Sequence, residues 1–152
     1  MAGKIVVGVD GSDASREALR WAASEAALRD ARLVAVHVFA FMPLTAIGDP
    51  GMIPMPAGDL PGQLDAERSA AQTELDAAVA DAFPDGPPKD FEARLVEGDP
   101  SDTLVAEAGD ADLVVVGSRG RGGLKSALLG SVSGHVVHHA ASPVVVVKAP
   151  SS

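Results

Sequence analysis

The chain contains no cysteine. That absence excludes a disulfide framework, a zinc–thiolate site and a thiol nucleophile. Cations are scarce: 12 Lys+Arg stand against 21 Asp+Glu, a formal charge of -9. Such a balance argues against non-specific binding of nucleic acid and against docking on anionic lipid. No apolar run approaches the ~20 residues that a membrane helix needs. The opening MAGKIVVGVD reaches acid directly after a short apolar run, so the expectation is a soluble, cytoplasmic chain without a signal peptide.

Two well-known nucleotide motifs are also missing. Lys125-Ser126 is preceded by Leu124, where a Walker A loop requires glycine. Gly120-Arg121-Gly122 is followed by Lys125, where G-x-G-x-x-G requires its third glycine.

What is present reads as globular. Of 152 residues, 47% are hydrophobic and 22% charged, which suits one domain over residues 1–150. Four short runs rich in β-branched residues stand out: KIVVGVD (4–10), LVAVHVF (33–39), DLVVVG (112–117) and PVVVVK (143–148). Each is nearly continuous in apolar residues, the pattern of strands covered on both faces. FEARLVEG (91–98) is more mixed and reads as a strand nearer an edge.

Helical stretches lie between them. SDASREALRWAASEAALRD places Ala14, Ala18, Trp21, Ala22 and Leu28 on one stripe. LDAERSAAQTELDAAVADAF does the same with Leu64, Ala71, Leu75, Ala78 and Phe83. In DPSDTLVAEAGDA, Asp99 can cap, Pro100 suits the first helical position and Gly109 can close the helix. The resulting β-α-β-α-β-α-β-α-β order implies a doubly wound, Rossmann-like α/β fold. Its five parallel strands, in the order 3-2-1-4-5, would carry helices on both faces. The Pro/Gly/Met-rich segment 40–63 has no clear period and reads as a loop, either a flexible insertion or a cover on the ligand side.

In such a sheet a ligand sits beyond the carboxyl ends of the strands, where the strand order reverses. The first strand ends in GVDGSDAS and the fourth in VVVGSRGRGG, so Gly8, Asp10 and Gly11 would face Gly117 and Gly120 across that crevice. Val38 ends the second strand on the same rim. After a short helical piece around Leu124–Leu129, Gly130-Ser131-Val132-Ser133 opens the last helix. A helix's first turn presents unpaired N–H groups and partial positive charge, which suits phosphate. Ser131 and Ser133 can cap that turn or donate hydroxyls, and Arg119, Arg121 and Lys125 can neutralise a polyphosphate.

The pattern that does fit is G-x2-G-x9-G-[ST], met by Gly117, Gly120, Gly130 and Ser131. With KIVVGVDGS, VHVF and EGDPSDTLVAEA it makes the sequence resemble the ATP-binding branch of the universal stress protein family. The likeness spans nearly the whole chain. It implies ATP, with magnesium, as ligand. By that resemblance Asp10 would lie near ribose, adenine or a phosphate-bound metal, and the Val38 backbone would receive adenine. Gly117 and Gly120 would serve ribose and phosphate, and residues 130–133 would cradle the phosphates. A homodimer through Val144–Val147 is implied as well, which would cover an exposed strand edge. SGHVVHHA departs from the family, where acid and arginine are more usual.

Several plainer readings stand beside these. Asp10 can simply cap the first helix through the DGSD turn, and Ser12 and Asp13 read as caps. His135, His138 and His139 share helical spacing but lack a further ligand at metal spacing, and read as surface or helix-end residues. His37 reads as a satisfied buried or rim imidazole. The leading functional expectation is a nucleotide-dependent regulatory protein of the stress response. The alternatives are a slow ATPase or autophosphorylating enzyme with Ser131 or Ser133 as acceptor, a cyclic-mononucleotide binder, and a scaffold with an unused pocket.

Overall fold

In the computed structural model, which describes residues 3–40, 60–119 and 129–149, five strands alternate with four helices. They are β1 (Lys4–Gly8), α1 (Asp13–Arg29), β2 (Arg32–Phe39), α2 (Leu60–Ala82), β3 (Phe91–Glu97), α3 (Pro100–Glu107), β4 (Leu113–Gly117), α4 (Ser131–His139) and β5 (Val144–Val147). The sheet order is β3-β2-β1-β4-β5, with every pairing parallel. This is the doubly wound α/β architecture that the alternation of elements implies.

Strand side chains alternate between faces, and that alternation divides the core in two. Ile5, Val7, Leu33, Ala35, Leu113 and Val115 pack against α1 and α2. Val6, Val34, Val36, Val114 and Val116 pack against α3 and α4. Val6, Val34 and Val114 are all fully buried, and each such side chain contributes about 1.5–3 kcal/mol of burial free energy. β3 is one edge, in keeping with its mixed sequence. β5 is the other, and its four valines are only half-buried, so an all-apolar run here marks an edge rather than a strand covered on both faces.

α1 rests on the sheet through Ala14, Ala18, Leu19, Ala22 and Ala26. Trp21 and Leu28, expected on that stripe, are 36% and 83% exposed. The small residues let α1 approach the sheet closely, and a bulky ring between them would hold it away. α2 buries Ala71, Leu75 and Ala78 as expected, but it starts at Leu60, inside the segment read as a loop. Pro61 in the first turn needs no N–H partner and so does not block that start. The remainder of that loop, 41–59, lies outside the described residues. At α3, Asp99 accepts from the Asp102 N–H at 3.0 Å with Pro100 next, and the helix closes at Ala108, one residue before Gly109.

Three ion pairs are anchored at the amino-terminal end of β1 by Lys4 and on β3 by Arg94. Lys4 Nζ lies 2.7 Å from Asp110 Oδ1 and holds that carboxyl below its ordinary value. Arg94 reaches Glu107 at 2.6 Å and Glu92 at 3.1 Å, and both bonds hold its guanidinium above its usual value.

Candidate nucleotide cleft

At the opposite, carboxyl end of the strands a cavity of about 520 Å³ opens between the tips of β1, β2 and β4. This is within the range usual for ligand pockets, roughly 300–1,000 Å³. Gly8, Val36 and Val116 lie at its base, the starts of α3 and α4 border one side, and α2 supplies Glu67, Ala70, Ala71 and Glu74 on the other.

The turn after β1 is built around Asp10. Gly11 has φ of 83°, a conformation that side chains disfavour, and it lets the chain reverse into α1. Asp10 Oδ1 accepts from the Ser12 N–H at 2.9 Å and from Ser12 Oγ at 2.5 Å. Ser12 Oγ in turn accepts from the Ser15 N–H at 3.2 Å, the N-cap of α1. Arg119 O, at 3.4 Å from Ser12 Oγ, brings the exit of β4 to the same spot. Asp10 is therefore both half-buried at the cleft and part of the α1 capping turn.

Across the cleft Gly130 is the N-cap residue of α4 and offers no side-chain cap, so the amides of Ser131, Val132 and Ser133 have no partner within the helix. Gly130's own N–H donates to Ser118 O at 2.8 Å, which fixes the helix start against the end of β4. The Ser133 hydroxyl, expected to cap this turn or to donate to ligand, turns inward. It is 3.0 Å from Ser118 O and 3.2 Å from Gly130 O, and the residue is 3% exposed. Ser133 thus presents an amide rather than a hydroxyl.

Of the residues singled out in the sequence, Gly8, Asp10, Val38, Gly117, Arg119 and 130–133 line the cavity. Gly11 shapes the adjoining turn instead. Gly120, Arg121, Lys125 and most of the helical piece at 124–129 lie outside the described residues. Gly117 is small for a reason internal to the fold: a Cβ there would lie 2.8 Å from the Ala14 carbonyl carbon. At Gly8 a Cβ would meet Leu104 Cδ2 at 2.7 Å.

The α2 wall was missed in the sequence. Glu67 and Glu74 carry no motif, and only the docking of α2 beside β2 brings them to the cleft. His37 is a satisfied buried imidazole, 5% exposed, with Nδ1 2.7 Å from Val9 O. His135 Nε2 contacts Asp102 Oδ1 at 3.1 Å and its ring lies 4.4 Å from that of His139. Among the described residues no three His, Asp or Glu side chains gather in a metal-binding group. No helix among them is long and apolar enough to cross a membrane.

The sequence pattern of the universal stress protein family matches residues 1–148. The chain belongs to that family. A universal stress protein of Mycobacterium tuberculosis is 40% identical over 146 residues, covering 95% of this chain and 45% of its own length. The chain spans about half the length of the curated relatives it matches. Among solved structures, a universal stress protein in complex with cAMP superposes with a TM-score of 0.68 at 28% identity, covering 97% of this chain and 98% of its own. A universal stress protein from Archaeoglobus fulgidus in complex with dAMP gives 0.63 at 29% identity, covering 96% and 98%. Structural neighbours within the family therefore bind nucleotides.

Proposed function

We propose that the chain binds an adenine nucleotide, ATP with magnesium foremost, and acts in the cytoplasm as a nucleotide-dependent regulator of the stress response. The observation that carries this reading is the start of α4, whose first-turn amides border a 520 Å³ cavity without a capping side chain. Such amides and the helix dipole attract phosphate oxygens. The cAMP and dAMP complexes of two structural neighbours support a nucleotide as the occupant.

In this reading the phosphates lie on the amides of Ser131, Val132 and Ser133, with Arg119 adding charge at the β4 exit. The ribose lies over Gly117, the Val38 backbone meets the adenine, and Gly8 and Gly11 keep the β1 side low. Asp10 serves the ribose or a magnesium ion. Magnesium is commonly held by one or two carboxylates together with substrate phosphates, and the Asp10 carboxylate at the cleft fits that pattern. The ion would neutralise phosphate charge. The half-buried valines of β5 leave one strand edge for pairing with a second copy through Val144–Val147.

A mononucleotide such as cAMP is the second reading, favoured by the neighbour solved with it. It would use the same base and ribose contacts with fewer phosphate donors. Native mass spectrometry of the purified protein, followed by calorimetric titration with ATP–Mg, AMP and cAMP, separates them. ATP–Mg binding at least tenfold tighter than AMP supports the polyphosphate reading, and absence of binding to all three rejects the function. Release of γ-phosphate during incubation would assign a slow ATPase; intact ATP assigns a binding protein.

A further inference from the structure

We propose that His37 is a positioning residue for the cleft: its Nδ1–H clamps the peptide joining Val9 to Asp10 and thereby sets the Asp10 carboxylate. This rests on the nucleotide-binding reading above. β1 leaves the sheet at this peptide, and the last ladder bond is the Val9 N–H to Val36 O at 2.9 Å. Beyond it, the two polar groups of a single peptide unit are each taken by a side chain. Val9 O receives His37 Nδ1 at 2.7 Å, and the Asp10 N–H donates to Ser15 Oγ at 3.3 Å. A peptide plane held at its oxygen from β2 and at its nitrogen from α1 cannot rotate without losing both bonds. Rotation there would swing Asp10 away from the Ser12 donors that hold Oδ1.

The imidazole is well placed for this work. At 5% exposure it cannot exchange Val9 O for water, and a buried carbonyl left unpaired is costly. Because Val9 O only accepts, Nδ1 must carry a hydrogen. The ring's other nitrogen lies 3.4 Å from Glu74 Oε2 on α2, so the same side chain spans the β1 exit and the cleft wall. His37 thus lies within reach of three elements that border the cavity, although it sits inside an apolar strand.

The two nitrogens can be separated by substitution. In His37→Asn the amide nitrogen takes the position of Nδ1 and keeps the bond to Val9 O but falls short of Glu74. In His37→Gln the amide nitrogen takes the position of Nε2 and reaches Glu74 but leaves Val9 O unpaired. ATP–Mg affinity is expected to stay within about threefold of the parent in His37→Asn and to fall about tenfold or more in His37→Gln, as one positioned hydrogen bond implies. Equal affinities in the two variants would overturn the proposal. The parent protein gives an independent readout through its imidazole nitrogen-15 shifts. An Nδ1 that carries its hydrogen is expected, and an Nδ1 without one would overturn the clamp even if both variants fail to fold. A parent that binds no nucleotide, yet shows protonated Nδ1, would reject the functional reading and keep the clamp on the peptide.

Discussion

Gly117 at the end of β4 approaches the start of α1 so closely that a methyl group on it would lie 2.8 Å from the Ala14 carbonyl carbon and 2.9 Å from the Ser15 nitrogen. These are backbone atoms of a helix's first turn, held by the Ser12 cap, and they cannot step aside as a side chain could. The glycine is therefore required by packing before any ligand is considered. Gly117 would stay small even in a scaffold with an unused pocket. The case for a nucleotide then rests on the α4 amides and on Asp10.

Gly117→Ala should lower stability by about 1–3 kcal/mol, the usual cost of overpacking. Gly8→Ala should cost less, because the obstructing atom is a methyl of Leu104, the far end of a flexible side chain. Urea unfolding midpoints of the two variants check the order. A Gly117→Ala variant as stable as the parent would show that α1 does not press on β4.

Ser12→Ala removes the α1 cap and the hydroxyl donor to Asp10, leaving only the backbone N–H of residue 12 on Oδ1. A lost N-cap costs about 0.5–2 kcal/mol. Stability should fall by that amount, and ATP–Mg affinity should fall as well, because the Asp10 carboxylate loses one of its two donors. Ser12→Thr keeps the hydroxyl and should restore both. Failure of Thr to restore affinity while restoring stability would separate Asp10 from ligand binding.

Lys4 governs the acid limb of one carboxylate. Its hydrogen bond and charge hold Asp110 below the ordinary carboxyl value. A depressed pKa favours the folded state at pH above the ordinary value of about 4, and that preference is lost as pH falls through the lowered value. Lys4→Met should move the Asp110 carboxyl upward toward the ordinary value in a carbon-13 titration. The difference in stability between parent and variant should be present at pH 7 and shrink at pH 3.

Gly130 has φ of -72° and ψ of 174°, a conformation open to any residue. Gly130→Glu should leave the circular dichroism spectrum unchanged and abolish ATP–Mg binding, since a carboxylate at the N-cap would occupy the place and charge of phosphate. Gly130→Ala should bind with at most a few-fold loss. Unchanged affinity in Gly130→Glu would move the phosphates away from α4.

Much of the fold was legible because its determinants are local. Continuous valine and isoleucine runs separated by alanine-rich helices admit little besides a parallel sheet with helices on both faces. The turn residues Asp99, Pro100 and Gly11 also act through their immediate neighbours. Trp21 and Leu28 were misread because helical periodicity does not say how close the helix lies, and here alanines at 14, 18 and 22 decide the contact. The start of α2 was hidden by Pro61 and Gly62, whose turn-forming chemistry is compatible with a first helical turn. In the cleft, Asp10 and the α4 start announced themselves through glycine and serine spacing. Glu67 and Glu74 did not, since the wall of a cleft depends on which helix docks beside which strand. Nor did the inward turn of the Ser133 hydroxyl, which follows from the carbonyl of Ser118, 15 residues away.

The most direct test is an amide proton–nitrogen titration of the assigned protein with ATP–Mg. The amides of Ser131, Val132 and Ser133 are expected to move far downfield in step with ligand occupancy, as donors to phosphate do, with the Val38 region shifting alongside. If those three resonances stay in place while calorimetry reports saturation, the nucleotide's phosphates are bound elsewhere and the account of this cleft is wrong.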